Sequence, residues 1–225
     1  LKACNAFDGL LVPGGPKDAG IVVTERTNLQ IATVIARSSG FAEVIKTAYG
    51  IVLPSGPKGV VAHDVTFLGT GPRAWFALSA GERPLAPDLE QSLGEHAAVA
   101  DQSDGYGVLR VSGTKVRALL AKGVPVDLHP RVFTADDVAV TICSHIGIIL
   151  WRSDADSSFD IAMFRSLCGS FWSWLSESAE EFGLRVDVQP EVAAVGPLVE
   201  ALAEHAARLR AEGALPPPRK KSRRR

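Results

Sequence analysis

Cysteine is scarce in this sequence and shows no pattern typical of a metal site or a disulfide framework. The 225 residues include three cysteines, Cys4, Cys143 and Cys168, and no Cys-x-x-Cys pair occurs. Their odd number and scattered positions favour free thiols in a reducing compartment. The sequence therefore predicts neither a disulfide scaffold nor a zinc ribbon or finger.

Long apolar runs are also missing. No stretch approaches the roughly 20 residues that a membrane-spanning helix needs, and the first residues lack the basic segment and hydrophobic core of a secretion signal. Hydrophobic residues make up 46% of the chain, which is enough to form a sizeable core. We expect a soluble globular protein of the cytoplasm with no membrane partner.

Signatures of catalysis and ion binding are absent as well. The chain has no Gly-x-Ser-x-Gly nucleophile elbow, no His-x-x-x-His pair and no complete P-loop. Asp154, Asp156 and Asp160 lie close together, but without the glycine and terminal glutamate of an EF-hand loop a polar hairpin is favoured over a cation site. Ser144 and His145 are predicted to be neighbours in a strand, with side chains on opposite faces. No catalytic, cofactor-binding or metal-binding residue is predicted.

Charge is balanced over the whole chain but not along it. The formal net charge is −1, yet residues 219–225 (RKKSRRR) carry six positive charges, so the preceding 218 residues have a net charge of −7. An acidic body of this kind argues against nucleic acid as the partner. The basic run follows three prolines, and a solvated tail is favoured over one that binds RNA, an anionic surface or an acidic partner.

Strand and helix patterns occur twice in the same order. In the first half the β-branched run 29–37 precedes an amphipathic segment at 41–49, and in the second half the run 106–111 precedes one at 116–120. A glycine ends each helix, and two further strands and a second helix follow. This repetition indicates an α+β protein built from two duplicated β-α-β-β-α units with antiparallel sheets.

The two units are expected to share one core, because neither half is long enough to fill a core alone. We therefore predict a single compact domain over residues 1–183, with pseudo-repeats at about 22–96 and 97–183. Apolar residues at helical spacing predict a C-terminal amphipathic helix within 184–212. Residues 213–225 are predicted to be a disordered, proline-rich basic tail.

The turn Ser112-Gly113 lies between a predicted strand and a short predicted helix, where a phosphate site is sometimes found. A P-loop ending at Gly113 would need its first glycine at residue 108 and a lysine at residue 114, but Gly107 is one residue too far from Gly113 and residue 114 is threonine. Chain reversal is therefore favoured over phosphate binding at this turn. The segment 69–73 (GTGPR) is predicted to be a hairpin turn for the same reason.

The segment 164–183 is rich in aromatic residues. Phe171, Trp174, Leu175 and Phe182 fall on one helical face, which is ordinary core spacing, whereas Trp172 falls at the margin of that face. A tryptophan in that position either covers the core or contacts a partner protein. Both interpretations stay open from spacing alone.

Several segments carry more specific arrangements. They are Leu119 to Gly123 followed by Val126 to Pro130 within 100–133, Phe164 to Ser166 followed by Ser170 to Leu175 within 147–183, and 70–78 (TGPRAWFAL). In these residues the chain resembles the gamma subunit of heterotetrameric sarcosine oxidase, over about residues 22–183. The residues after Gly183 depart from the family pattern.

The resemblance implies a fold similar to the folate-binding region of aminomethyltransferases and a non-catalytic role in a heterotetramer. The family complex oxidatively demethylates sarcosine to glycine and passes the methyl carbon to tetrahydrofolate or releases formaldehyde. The implied partners are alpha, beta and delta subunits, which would hold FAD, FMN, NAD, tetrahydrofolate and zinc. Arg165, Phe171, Trp172 and Trp174 are the candidate residues of the subunit interface.

Two alternatives belong to other classes. A free-standing folate-binding aminomethyltransferase would need an acidic folate pocket and a further C-terminal barrel, and about 40 residues after Gly183 are too few for that barrel. An RNA-associated protein acting through its basic tail would bind in a salt-sensitive way.

Overall fold

The computed structural model describes residues 4–81, 83–152 and 157–188. The predicted C-terminal helix and tail lie outside these residues. The described part contains the following strands and α-helices, in chain order: β1 (Ile21–Glu25), β2 (Gln30–Ala36), α1 (Phe41–Tyr49), β3 (Gly59–Ala62), β4 (Val65–Gly71), β5 (Ala74–Ser79), α2 (Leu85–Leu93), β6 (Ala97–Asp101), β7 (Tyr106–Ser112), α3 (Val116–Leu120), β8 (Val138–Cys143), β9 (Ile146–Arg152), β10 (Ser158–Phe164), α4 (Cys168–Ala179) and β11 (Leu184–Asp187).

These strands form two sheets. The first sheet has the order β3-β4-β5-β2-β6, and the second has the order β11-β1-β7-β10-β9-β8. All described pairs are antiparallel except β1 with β11, which is parallel. The predicted α+β class with antiparallel sheets is confirmed.

Three apolar clusters separate four layers. One cluster packs α1 and α2 on the outer face of the first sheet, and a second packs α3 and α4 on the outer face of the second sheet. The third lies between the sheets and includes Ile31, Phe76, Val108, Ile149 and Ala162. Because side chains alternate along a strand, each sheet buries both of its faces.

The sheets do not follow the predicted repeats residue by residue. β1 comes early in the chain but pairs with β7 in the second sheet, whereas β6 pairs with β2 in the first sheet. The division into repeats at about 22–96 and 97–183 stays a prediction.

Ser144 and His145 are not in a strand, contrary to the prediction. They form the two-residue turn between β8 and β9, with φ angles of 44° and 76°. Positive φ at both central positions matches the twist of antiparallel strands, which is why such turns join hairpins. The apolar run continues on both sides of the turn, and this continuity concealed the chain reversal.

Candidate functional site

The carboxylate of Asp160 lies between the two sheets. On β10, Phe159, Ile161 and Met163 belong to the helix-covered core, so Asp160 and Ala162 project from the opposite face. Asp160 is 2% exposed. A buried carboxylate is stable only when charged or hydrogen-bonding partners compensate for the lost water.

Two arginines supply those partners. Arg110 lies directly opposite Asp160 on β7 and donates to it from Nε and Nη2, each at 2.8 Å. Arg26, which follows β1, donates from Nη1 to Oδ2 of Asp160 at 2.8 Å. The arginine side chains are 23% and 39% exposed, respectively, for Arg26 and Arg110. Both oxygens of the Asp160 carboxylate in this trio therefore accept hydrogen bonds from guanidinium groups.

Burial and neighbouring charges change the pKa of Arg26. Burial lowers the pKa of Arg26, and Arg110 lowers it further, while the negative charge of Asp160 opposes both effects. The guanidinium stays protonated at physiological pH because the pKa of arginine starts far above neutrality.

A cavity of about 430 Å³ adjoins the trio, which supplies part of its lining. Its other lining residues come from both sheets. Leu29, Leu68, Leu78, Val138 and Trp151 contribute apolar surface. Cavities of roughly 300 to 1,000 Å³ with mainly apolar walls and a few polar groups are typical of small-molecule sites.

Lys58 connects the two sheets beside this cavity. Its Nζ lies 2.7 Å from Asp137 and 3.5 Å from Asp136. Main-chain bonds join the same segments, since the Gly59 amide donates to the Asp136 carbonyl at 2.6 Å and the Val138 amide donates to the Pro57 carbonyl at 2.9 Å. The hydrogen bond to Asp137 raises the pKa of the exposed Lys58 ammonium.

A smaller cavity of about 180 Å³ lies beside the N-terminal segment. Glu25 accepts a hydrogen bond from the Phe7 amide at 3.1 Å, and burial raises the pKa of this carboxylate, although the backbone hydrogen bonds oppose the shift. Arg165 donates to the carbonyls of Cys4 and Asn5 at 2.5 and 3.1 Å. These contacts fix the N-terminal segment on the second sheet.

Ser38 and His96 form a serine-histidine pair that sequence reasoning did not detect. Ser38 Oγ lies 2.6 Å from His96 Nδ1. Neither residue lines either of the two cavities. The pair joins the segment before α1 to the segment before β6, next to a backbone bond from Arg37 to the His96 carbonyl. This geometry supports a structural role.

Two of the three thiols are buried. Burial raises the pKa of Cys143 to about 12 and that of Cys168 to about 11, whereas Cys4 is exposed. A thiol attacks electrophiles as its thiolate, so both buried thiols are poor nucleophiles near neutral pH.

We expect one thiol per native chain to react rapidly with a disulfide reagent at pH 8. Cys4 should react, whereas Cys143 and Cys168 should stay protected, because about one in 1,000 of such thiols or fewer is ionised at that pH. Absorbance of the released chromophore measures the count. All three should react in denaturant, and rapid reaction of two or three thiols in the native chain would contradict the burial of these side chains.

Comparison with known proteins identifies the family. A model of the sarcosine oxidase gamma subunit family matches residues 34–181. The chain is 34% identical over 149 residues to the sarcosine oxidase subunit gamma of Corynebacterium sp. strain P-1, covering 64% of this chain and 72% of the relative. It belongs to the sarcosine oxidase gamma subunit family.

Another relative and one solved structure agree with this assignment. The gamma subunit from Corynebacterium sp. strain U-96 is 35% identical over 150 residues, which is 64% of this chain and 71% of the relative. A chain of the heterotetrameric sarcosine oxidase from Corynebacterium sp. U-96, solved with pyrrole 2-carboxylate, superposes with a TM-score of 0.66 and 26% identity. The superposition covers 74% of this chain and 87% of that one. The predicted family resemblance is confirmed.

The predicted likeness to aminomethyltransferases is also confirmed at the level of the fold. The glycine cleavage system aminomethyltransferase T from Bartonella henselae superposes with a TM-score of 0.56 and 13% identity. The match covers 76% of this chain but 48% of the aminomethyltransferase. At this identity the likeness concerns architecture.

The four predicted interface residues of this gamma subunit family member occupy different environments. Phe171 is fully buried in the core of the second sheet, and its ring centroid lies 5.7 Å from that of Trp174. Trp172 and Trp174 are half-buried on α4, and Arg165 binds the N-terminal segment through the carbonyls described above. Phe171 therefore exposes no surface that a partner subunit could contact in this chain. The interface role of Arg165, Trp172 and Trp174 stays a prediction.

Gly123 allows the Trp174 indole to approach the main chain closely. A Cβ at Gly123 would lie 2.5 Å from the Trp174 indole and 3.1 Å from the Cys143 sulfur. The absence of a side chain at residue 123 therefore lets α4 pack closely on the loop after α3.

The Ser112-Gly113 turn reverses the chain in this fold. The Gly113 amide donates to the Ser157 carbonyl at 3.1 Å, and the Lys115 amide donates to the Gly20 carbonyl at 3.1 Å. A phosphate would need these amides as donors. The turn binds neighbouring main chain instead, as chain reversal predicts.

In the part of the chain that the structure describes, no helix is long and apolar enough to cross a bilayer. Of the acidic residues considered for a cation site, Asp160 binds two arginines, whereas Asp154 and Asp156 lie outside the described residues. The same described residues contain no cluster of ligands suited to a metal ion.

Proposed function

We propose that this chain is a non-catalytic subunit of a heterotetrameric oxidase that demethylates sarcosine, or a related N-methyl amine, to the free amine. The methyl carbon would pass to tetrahydrofolate or leave as formaldehyde. The observation that carries the proposal is the match to a chain of the heterotetrameric sarcosine oxidase over 87% of its length. We place the complex in the cytoplasm.

The chemistry of the described residues supports a non-catalytic role. Both oxygens of Asp160 accept hydrogen bonds from Arg26 or Arg110, so the carboxylate serves as a partner of the two guanidinium groups. The buried thiols Cys143 and Cys168 have raised pKa values and little thiolate. We therefore assign the redox chemistry to the partner subunits.

The partners would be alpha, beta and delta subunits. In this proposal the flavins FAD and FMN belong to the beta subunit, NAD and tetrahydrofolate to the alpha subunit, and zinc to the delta subunit. Support comes from exposed apolar side chains on the edge strands β3 and β8, where Val61, Val140 and Ile142 are 65%, 56% and 48% exposed. Surfaces of this kind are stabilised when another protein covers them.

A free-standing aminomethyltransferase-like protein is not favoured. The aminomethyltransferase from Bartonella henselae is matched over 48% of its length at 13% identity, whereas both Corynebacterium gamma subunits are matched over more than 70%. The acidic character of residues 1–218 also argues against a nucleic-acid partner.

Affinity purification of the tagged chain from its native host tests the proposal. We expect a yellow complex that contains large flavin-bearing subunits and a small subunit, with sarcosine-dependent reduction of the flavin absorbance. A colourless monomer that binds tetrahydrofolate would overturn the subunit proposal and favour the free-standing alternative.

Trp172→Ala should weaken assembly more than folding. Trp172 is half-buried beside the core, so its removal leaves most of that core intact, whereas an interface tryptophan commonly contributes about 2 kcal/mol or more to binding. Co-purification yield measures assembly, and the urea midpoint of the full-length chain measures folding.

Leu175→Ala is the matched control for this variant. Leu175 lies on the same helix but is fully buried, so its truncation should lower folding stability and assembly together. Equal losses of folding and assembly in Trp172→Ala would contradict the interface assignment of that residue.

A further inference from the structure

The strand β8 forms one edge of the second sheet and has a hydrogen-bonded neighbour, β9, on one side. The two-residue turn at Ser144-His145 makes Cys143 and Ile146 the closing hydrogen-bonded pair of this hairpin. Hydrogen-bonded and non-hydrogen-bonded pairs alternate along an antiparallel ladder. The main-chain N–H and C=O groups of Val140 and Ile142 therefore point away from β9.

Contacts at the start of β8 agree with this orientation. The Gly59 amide donates to the Asp136 carbonyl, and the Val138 amide donates to the Pro57 carbonyl, so both groups of this strand segment face away from β9. Main-chain groups two residues apart in a strand point the same way. In the part of the chain that the structure describes, nothing bonds to the outward groups further along β8. These groups can bond to another chain.

The side chains of Val140 and Ile142 lie on the face of β8 that is turned toward the first sheet. Val138 belongs to the apolar cluster between the sheets, and side chains two residues apart in a strand share a face. Val140 and Ile142 are nevertheless 56% and 48% exposed, so the first sheet does not cover this part of the strand. A strand added at this edge would bury both side chains.

The edge at β8 also lacks the features that protect the other sheet edges of the described residues. Gly14 bonds to Val186 of β11 in both directions, at 3.0 and 2.8 Å. The strand β3 has four residues, and β6 includes Asp101. Covering segments, short length and charge are the usual means by which an edge strand avoids pairing with other chains. In contrast, β8 (VAVTIC) has six residues, no charge and no proline.

We propose that β8 accepts an extended segment of another subunit of the complex as an added strand, whose apolar side chains pack on Val140 and Ile142. This proposal rests on the proposed function, because it takes the partner from the heterotetramer and prefers it to a second copy of this chain. The outward main-chain groups require an extended backbone, since a strand presents donors and acceptors at the matching spacing. The neutral β8 requires an uncharged facing surface, since a charged side chain there would lose hydration without gaining an ionic partner.

Assembly of the tagged full-length chain with its co-expressed subunits tests the proposal. Val140→Pro removes the outward N–H and keeps the ladder to β9, because proline is tolerated on the free side of an edge strand. We expect the yield of co-purified subunits to fall at least about tenfold, while the urea midpoint of the variant chain changes little. Val140→Thr keeps the N–H and the β-branched shape, so it should retain most of the yield.

Two prolines at other positions are the controls. Val61→Pro changes a similarly exposed valine on the edge strand β3 and should leave the yield near that of the wild-type chain. Thr141→Pro removes an N–H that points toward β9, so it should lower the urea midpoint and the yield together. The three proline variants therefore separate loss of the added strand from loss of the fold.

Hydrogen exchange of residues 139–143, measured by mass spectrometry, tests the added strand directly. The two outward amides should exchange rapidly in the isolated full-length chain. In the purified complex they should exchange at least about tenfold more slowly, because hydrogen-bonded amides of a stable sheet are protected.

The possible results distinguish this proposal from the proposed function. Unchanged assembly of Val140→Pro, or unchanged exchange in a complex that forms, would overturn the added strand and leave the proposed function in place. Protection in the isolated chain together with a dimeric mass would assign the edge to a second copy and overturn the choice of partner. A wild-type chain that co-purifies with no other subunit would overturn the proposed function and the added strand with it.

Discussion

Replacing Asp160 by asparagine should destabilise the folded chain by about 3 kcal/mol, since removing one partner of a buried ion pair leaves the other charge uncompensated. Two guanidinium groups would then face each other with no negative charge between them. The figure lies at the lower end of the usual range because the arginine side chains are 23% and 39% exposed and keep part of their hydration. Urea unfolding of the full-length chain measures the change.

Asp187→Asn provides the matched control. Asp187 pairs with Arg185 at 2.9 Å, but its side chain is 45% exposed, so the loss should be below about 1 kcal/mol. The double variant Asp160→Asn with Arg110→Gln should be less destabilised than the sum of its two single variants, because it removes one of the repelling charges. Equal losses in the free energy of unfolding for Asp160→Asn and Asp187→Asn would show that burial of Arg26, Arg110 and Asp160 adds nothing to the stability of the fold.

Gly113→Ala should destabilise the folded chain by about 3 kcal/mol. The expected loss has two causes, backbone strain at residue 113 and a steric clash between the new Cβ and a neighbouring main-chain atom. Gly113 has a φ of 117°, a region that residues with a Cβ rarely adopt, and an added Cβ would lie 2.2 Å from the Gly20 carbonyl oxygen. Gly20 precedes β1, so relief of the collision would separate β1 from β7. The thermal midpoint and the urea midpoint of the variant should both fall.

Gly147→Ala is the control for the glycine substitution. Gly147 lies in β9 and is exposed, it has no positive φ, and nothing lies within 4 Å of a Cβ added there. Its replacement should be neutral or slightly stabilising, because alanine loses less conformational entropy on folding than glycine. A Gly113→Ala variant as stable as the wild-type chain would contradict this prediction. It would mean that the Ser112-Gly113 turn can rearrange, so that its amides could bind a ligand such as phosphate instead of the neighbouring main chain.

The elements recognised from sequence are those with a strong local pattern. The β-branched runs that become β2 and β7 and the amphipathic segments that become α1 and α4 were all predicted near their observed bounds. The periodic spacing of their apolar residues can be read from the local sequence, without knowing which strands or helices pack against them.

The elements that escaped recognition are mostly short strands at sheet edges, such as β3, β6, β8 and β11. Such strands have one hydrogen-bonded neighbour and a mixed burial pattern, so their alternation is weak. β1 escaped for another reason, because its partners β7 and β11 are distant in sequence. Pairing over such distances depends on the assembled core.

The sequence contains only a weak signal for the residues that line the candidate cavity. Arg110 and Asp160 are single charged residues within otherwise mostly apolar strands. Because charged residues are rarely buried without a partner, this pattern could have predicted that they form a buried ion pair. Instead, Asp160 was considered for a cation site together with Asp154 and Asp156. Arg26 carries no comparable signal, because it stands at the end of a short strand.

By itself, the sequence determined the fold class, the absence of familiar catalytic signatures and the family, since each depends on residue types and spacings along the chain. Only the tertiary structure decided that Arg26, Arg110 and Asp160 share one site beside a cavity. The physical reason is that burial and charge pairing are properties of side chains brought together from β7, β10 and the residue that follows β1. Desolvation, which makes that trio energetically important, exists only after both sheets have packed against each other.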